Sequence, residues 1–409
     1  MLASVASGIS RVNGFLNSAD CVGLLKAMEA LGARTHLTRD GDLYIHGTSG
    51  RMLKPARPLD LGNSGTALRL LAGLLAGYDM PVTLTGDASL RSRPMRRIEE
   101  PLRLMGAEVV LSGDKGCAPI RVRGGRLKGI EYEMPVASAQ VKSCIMLAAL
   151  RAEGATTVIE PHPTRDHTEQ VFTALGLPVS VQDQAVTVEG AGPAGPEIRA
   201  REWIIPGDIS SAAFWMVAAA AHRRGSVTVK DVGLNPRRTA ILDVLKRMGA
   251  RIKVTPKKKQ DGAVEPLGEI RVSGSKLKGT VVGGEEIPAL IDEIPILAVA
   301  GALAEGETVI KDARELRVKE SDRIRTMCAN LKQMHVDVEE MEDGLRINGP
   351  TQLRGGGFVD SYGDHRVAMA MAVLALFGDT PVTIKNVRCI ETSYPGFWED
   401  LKRLGGHVE

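Results

Sequence analysis

The chain reads as an α/β protein of two domains, each assembled from three copies of one βαβαββ unit. Three observations predict this. A helix end recurs six times, a helix of small residues recurs between those ends, and 409 residues with 44% hydrophobic content can fill at least two cores.

The helix end has the form Leu-x-x-Met/Leu-Gly, followed by a short strand, a turn and a second strand. The glycine, or the residue in its place, falls at Gly32, Gly106, Gly176, Gly249, His335 and Gly405. The period is roughly 70 residues, the length of one small supersecondary unit. Glycine there suits a left-handed helix terminus, which costs other residues a Cβ clash.

The second recurring element is a small-residue helix, a turn and a β-branched strand, at Ser64 to Thr85, Ser138 to Ile159, Ser210 to Val229, Glu293 to Ile310 and His365 to Ile384. Ala, Leu and Met on nearly every face predict helices buried all round. Runs such as Thr156 to Glu160 and Ser226 to Lys230 read as strands.

A Pro/Gly-rich stretch, Gly190 to Pro196, and the strand-like Glu202 to Ile205 separate the third unit from the fourth. The expected domains are therefore residues 1–203 and 204–409. The run Lys257 to Lys259 reads as a solvated hairpin tip, and Gly355 to Gly357 as a loop between strands. The first unit matches only the later part of the repeat, so it is expected to be incomplete and the chain truncated at its N-terminus.

Composition excludes several classes. With 52 basic against 49 acidic residues and 3% aromatics, the chain has neither the charge nor the stacking surface of a nucleic-acid binder. No apolar run is long enough to span a bilayer. The five cysteines form no CxxC pair, which fits buried thiols in a reducing compartment. A cytoplasmic protein acting as a monomer on small molecules is expected. His162, Asp166 and His167 lie between and beside prolines at no common ligand spacing, so no metal is expected.

The buried helices are preceded by loops of Gly, Asn, Asp or Ser, as in LGNSGTALRL, PVASAQVKSC, IPGDISSAAF and YGDHRVAMA. Each is a good N-cap, and together they present repeated helix N-termini, which attract anions. Arginines accompany them. Arg91, Arg93, Arg96 and Arg97 crowd one segment, with Pro94 expected to begin a helix. Glu320 and Arg323 in LRVKESDRI are three apart, placing them on one helical face as a pair that is ordinarily exposed. Arg366 follows His365 at a helix start, where a cation wants an anionic partner. Asp292 precedes an apolar helix and could cap it; with Glu320 it could equally serve proton transfer.

Taken in order, GNSGTALR, RSRPM, ASAQVKS, TRDHTE, IDEIPILA, LRVKESDR, GDHRVAMA and TSYP resemble the motif set of the 5-enolpyruvylshikimate-3-phosphate (EPSP) synthases, the 3-phosphoshikimate 1-carboxyvinyltransferases. The resemblance implies two inverse α/β barrel-like domains of three repeats, facing each other across a cleft that holds the active site. It implies transfer of the enolpyruvyl group of phosphoenolpyruvate to the 5-hydroxyl of shikimate 3-phosphate, a step of chorismate and aromatic amino-acid biosynthesis, with no metal or organic cofactor. By the same resemblance Ser138, Ala139, Gln140, Arg165, Asp292 and Lys319 would hold shikimate 3-phosphate. Gly65, Arg93, Gln140, Arg323 and Arg366 would hold phosphoenolpyruvate. Asp292 would take the proton of the 5-hydroxyl and Glu320 would handle proton transfer at C3. Gly65 stands where glyphosate-tolerant members often carry Ala, so a glyphosate target is implied.

Two departures matter. The family's N-terminal Lys-Ser-x-x-x-Arg segment has no counterpart here, and Glu391, Thr392 and Ser393 stand where some members carry a lysine. An inactive or weakly active truncated form therefore remains an alternative. So does the sister enzyme acting on UDP-N-acetylglucosamine, although the loop GDASLRSRP lacks the cysteine typical of that enzyme.

Overall fold

The computed structural model describes residues 1–258, 260–353 and 357–409. It divides into two compact units. One comprises Met1–Ile205 with Gln260–Val264, the other Pro206–Lys259 with Glu265–Glu409.

The repeated helix ends take the conformation expected of them. All six carry positive φ, from 60° at His335 to 106° at Gly32. Backbone N–H groups past the last turn then fold back onto the helix: Gly32 N–H reaches Glu29 O at 2.9 Å and Ala33 N–H reaches Met28 O at 3.1 Å. This reversal satisfies carbonyls that a helix end otherwise leaves open, and aims the chain into the following strand.

Strand order repeats as well. In the second repeat Leu59–Asp60 runs parallel to Val82–Thr85, which pairs antiparallel with Ile120–Arg123, itself antiparallel to Glu108–Leu111. The third repeat uses the same order through Glu131–Glu133, Ala152–Ile159, Ala185–Ala191 and Val179–Gln182. The fifth does so through Val281–Val282, Gly306–Ile310, Leu345–Gly349 and Asp337–Glu340.

In the first repeat the parallel position beside Ile9–Asn13 is filled from far along the chain by Glu202–Ile204. The sequence marks that stretch as strand-like, and the strand it forms belongs to the first repeat's sheet. It is strand-forming because Trp203 buries against Val12, Leu43 and Ile45 while its neighbours face outward. Gln260–Val264 adds to the same edge, with Ile204 N–H donating to Gly262 O at 3.0 Å.

The small-residue helices are the centres of the two cores. Gly65–Ala76 and Ala139–Ala149 lie in the first unit. Ile209–Ala221, Ile294–Leu303 and His365–Ala375 lie in the second. Every residue from Ile294 to Ala302 is buried. Small residues are needed because backbones approach closely: a Cβ on Gly73 would stand 2.1 Å from Cys144 O of the neighbouring helix.

Lys257 pairs with Asp231, whereas Lys259 and Gly355 to Gly356 lie outside the described residues. All five cysteines are free thiols. Among the described residues no helix is long and apolar enough to cross a membrane.

Candidate active site

In the second unit the polar residues gather on Arg323. It is the first residue of the Arg323–Gln333 helix, capped by Asp322, and its side chain is 1% exposed. Lys319 and Glu320 lie before that helix, Lys319 with an extended backbone. The expected shared helical face does not form, because the Asp322 side chain accepts the Arg325 N–H at 3.0 Å and so starts the helix after Glu320.

Glu320 nevertheless reaches Arg323, with Nη2 donating to Oε2 at 2.6 Å. Arg323 is buried and Glu320 half-buried, so the two do not form an exposed ion pair. Asp364, fully buried, accepts from Arg323 Nε at 2.8 Å and from Nη2 at 3.2 Å. Asp292 Oδ1 stands 3.4 Å from Nη1. Burial works against the charge of Arg323, but the carboxylates of Asp364, Glu320 and Asp292 outweigh it and hold the guanidinium protonated.

Arg366 meets the same carboxylate from another helix. Its Nη1 donates to the Asp292 backbone oxygen at 3.1 Å, and its Nε lies 4.0 Å from Asp292 Oδ1. Asp364 also caps that helix, accepting the Arg366 N–H at 2.9 Å. The anion expected at this helix start is thus supplied by the protein itself. Asp292 does not cap the following helix, since Glu293 occupies that position. Its carboxylate is instead turned to the two guanidiniums. His365 is pushed down to about 4 by burial and then by the Arg366 charge, so its imidazole is neutral near pH 7.

The first unit carries its own polar set on two helix N-termini. Of the four crowded arginines only Arg93 is buried, at 6% exposed. Its Nη2 donates to Ser89 Oγ at 3.1 Å and to Asn63 Oδ1. Pro94 does not begin the helix, which starts at Arg96; Pro94 bridges Cys117 in an extended pairing instead. Gly65 opens the Gly65–Ala76 helix, capped by Ser64, and a Cβ there would stand 2.9 Å from Arg69 Nη1 and 3.3 Å from Arg93 Nη1.

Ser138 caps the Ala139–Ala149 helix, accepting from Val141 N–H at 3.4 Å. Gln140 joins the two helix starts: its Nε2 donates to Thr66 Oγ1 at 2.7 Å, and its Oε1 accepts from Arg69 Nη1 at 2.5 Å. Arg165 is half-buried, just before the His167–Ala174 helix.

The geometry therefore brings Asp292, Glu320, Arg323 and Arg366 together in one unit, and Gly65, Arg93, Ser138, Ala139 and Gln140 close together in the other. Sequence reading missed Asp364, Asn63 and Arg69. Asp364 and Asn63 stood inside quoted motifs as cap-type residues, which is why their pairing with arginines went unread.

Repeated βαβαββ units in two sets, with small-residue helices at their cores, are the fold of the enolpyruvyl transferases. The enolpyruvyl transferase NikO from Streptomyces tendae shares the fold, with a TM-score of 0.80 at 18% identity over 100% of this chain and 92% of that one. The chain belongs to the EPSP synthase family: the family model, EPSP synthase (3-phosphoshikimate 1-carboxyvinyltransferase), matches residues 1–401. A 3-phosphoshikimate 1-carboxyvinyltransferase of Akkermansia muciniphila is 49% identical, covering 99% of this chain and 93% of the relative. One from Halorhodospira halophila is 48% identical over 100% and 91%. The EPSP synthase structure from Acinetobacter baumannii aligns with a TM-score of 0.86 at 42% identity, over 100% and 93%.

Proposed function

We propose that the chain transfers the enolpyruvyl group of phosphoenolpyruvate to the 5-hydroxyl of shikimate 3-phosphate and releases phosphate. The observation that carries this reading is family membership over residues 1–401 in a chain that keeps Asp292 and Glu320 beside a buried Arg323. Both substrates are polyanions, so the chemistry needs fixed cations to bring them together and carboxylates to move protons.

In this reading Ser138, Ala139, Gln140, Arg165, Asp292 and Lys319 contact shikimate 3-phosphate. Gly65, Arg93, Gln140, Arg323 and Arg366 contact phosphoenolpyruvate. Asp292 accepts the hydroxyl proton as oxygen attacks C2, while Glu320 delivers a proton to C3. Collapse of the tetrahedral intermediate returns a proton from C3 and expels phosphate. Arg323 and Arg366 support the assignment of Asp292 as base, because their guanidiniums fix where its carboxylate lies.

The five free thiols support a reducing compartment, and we place the activity in the cytoplasm, in a monomer. The deciding experiment is phosphate release with both substrates present, with the product identified by mass. Release that needs both substrates supports the reading. Silence at high enzyme concentration, or equal release with UDP-N-acetylglucosamine in place of shikimate 3-phosphate, overturns it.

A further inference from the structure

The Ala139–Ala149 helix contains one charged side chain, Lys142, and that side chain is among the most deeply buried in the protein. Its Nζ lies 2.9 Å from Glu160 Oε2 and 2.6 Å from Glu169 Oε1. These carboxylates are 6% and 7% exposed. Taking three charges out of water is costly, and a buried ion pair is often no more stabilising than apolar residues of the same volume. Stability is thus a poor account of the cluster. What it joins is a better one.

Three segments converge on Lys142. The first is its own helix, whose opening residues are Ala139 and Gln140, capped by Ser138. The second is Glu160, directly after the Ala152–Ile159 strand, which accepts the Thr164 N–H at 3.1 Å and the Thr164 hydroxyl through Oε1. The third is Glu169, in the first turn of the His167–Ala174 helix. A hydroxyl pair beside it, Ser143 Oγ to Thr168 Oγ1 at 2.7 Å, ties the same two helices. Arg165 stands between Thr164 and that helix, so the chain on either side of it is fastened to one ammonium group.

The carboxylates are not equivalent. Glu160 is saturated by Lys142 and Thr164, whereas Glu169 Oε2 has no hydrogen-bond partner among the described residues. Burial pushes the Glu169 carboxyl up, with Lys142 opposing. Glu160 therefore ties Lys142 to Thr164, and Glu169 ties it to the His167–Ala174 helix.

We infer that Lys142 is a positioning residue, which with Glu160 and Glu169 fixes the Ser138–Gln140 helix start and Arg165 relative to each other. On the functional reading above, it thereby sets the fit of the first unit to the phosphorylated cyclic polyol, shikimate 3-phosphate. Lys142 touches no substrate.

The test uses Lys142→Met and the milder Glu160→Gln, which replaces one carboxylate oxygen by an NH2 group, so that either the Thr164 or the Lys142 contact is lost, and keeps the Lys142 pair with Glu169. The expected result is a KM for shikimate 3-phosphate raised about tenfold or more, with the phosphoenolpyruvate KM much less affected, as displacement of binding groups predicts. Hydrogen exchange at residues 164–166 should quicken in both variants without substrate. Equal rises in both KM values, or an unmoved shikimate 3-phosphate KM in Glu160→Gln, would overturn the inference. Unchanged exchange would do the same. If Lys142→Met fails to fold, Glu160→Gln decides. Should the wild type prove inactive on shikimate 3-phosphate while exchange quickens as expected, the functional reading fails and the fastening of Arg165 stands.

Discussion

Arg323 is enclosed by Asp364, Glu320 and Asp292, and this makes it a poor probe of ligand binding by truncation. Removing it strands three buried or half-buried carboxylates, a loss of several kcal/mol that would reach the fold. Isosteric changes at its partners are cleaner. Asp292→Asn and Glu320→Gln keep shape and a hydrogen-bonding oxygen and leave Asp364 paired with Arg323, so the fold should survive with a lowered thermal midpoint. Turnover should fall by at least about a hundredfold in each, the usual weight of a general acid or base. Steady-state kinetics check this, and a variant with near-normal turnover takes that residue out of the proposed chemistry.

His365 gives a second residue-scale expectation. Its folded-state value is about 4 against 6.5 for the ordinary imidazole, so the unfolded chain binds the proton first as pH falls. The stability associated with neutral His365 is complete above about 6.5 and is lost as pH drops toward about 4. Its size is on the order of 3 kcal/mol. Urea unfolding of wild type and His365→Gln across this window should show a steeper acid loss in wild type; parallel curves would contradict it.

Helix ends, and the helix starts capped by Ser64, Ser138 and Asp364, were the elements most legible in the sequence, because they are set locally, whereas the start expected at Pro94 and the cap offered by Asp292 fall elsewhere. A left-handed residue needs no Cβ, and the glycine pattern announced it; one copy carries His335 instead, at a φ of 60°. There Val336 N–H donates to Leu331 O at 2.9 Å, so the turn is formed despite the strain. His335→Gly should raise stability by about 0.5–1 kcal/mol, the left-handed penalty less the added freedom of the unfolded chain. A lowered melting point would refute the strain argument. At the other kind of end, Gly65→Ala places a methyl group against Arg69 and Arg93. Their side chains can give way, so the fold should survive. Glyphosate inhibition should weaken more than phosphoenolpyruvate binding, since the longer ligand needs the vacated space. An inhibition curve unmoved by the substitution would show that Gly65 does not border that ligand.

What was not legible is whatever depends on distant partners. Arg323 and Asp364 are 41 positions apart, and nothing local marks them as a buried pair. Lys142 is the one charged residue of the Ala139–Ala149 helix, and nothing local marks Glu160 and Glu169 as its partners. The repeat announced strands and helices but not which chain segment would complete the first sheet. Glu202–Ile204 does so because an open edge beside Ile9–Asn13 offers unpaired N–H and C=O groups, and Trp203 supplies apolar surface for the core beneath. The short return of Gln260–Val264 to the same unit extends this closure, since Ile204 pairs with Ala263 and Val264 packs on the cluster around Trp203. Replacing Gln260–Val264 by a Gly/Ser segment of equal length keeps the Arg251–Pro256 and Leu267–Ser273 hairpin closed while removing that packing. The Ile204 N–H should remain hydrogen-bonded to the new backbone or to water, so the loss is chiefly the apolar contact of Val264 and the added flexibility of the glycines. We expect a cost of about 1–3 kcal/mol, read as a melting point lowered by a few degrees. Hydrogen exchange should quicken along residues 202–204 and 9–13 before it does in the Leu59–Asp60 sheet. If both the melting point and the exchange pattern match wild type, Gln260–Val264 contributes nothing to the edge it covers, and Glu202–Ile204 alone closes the first sheet.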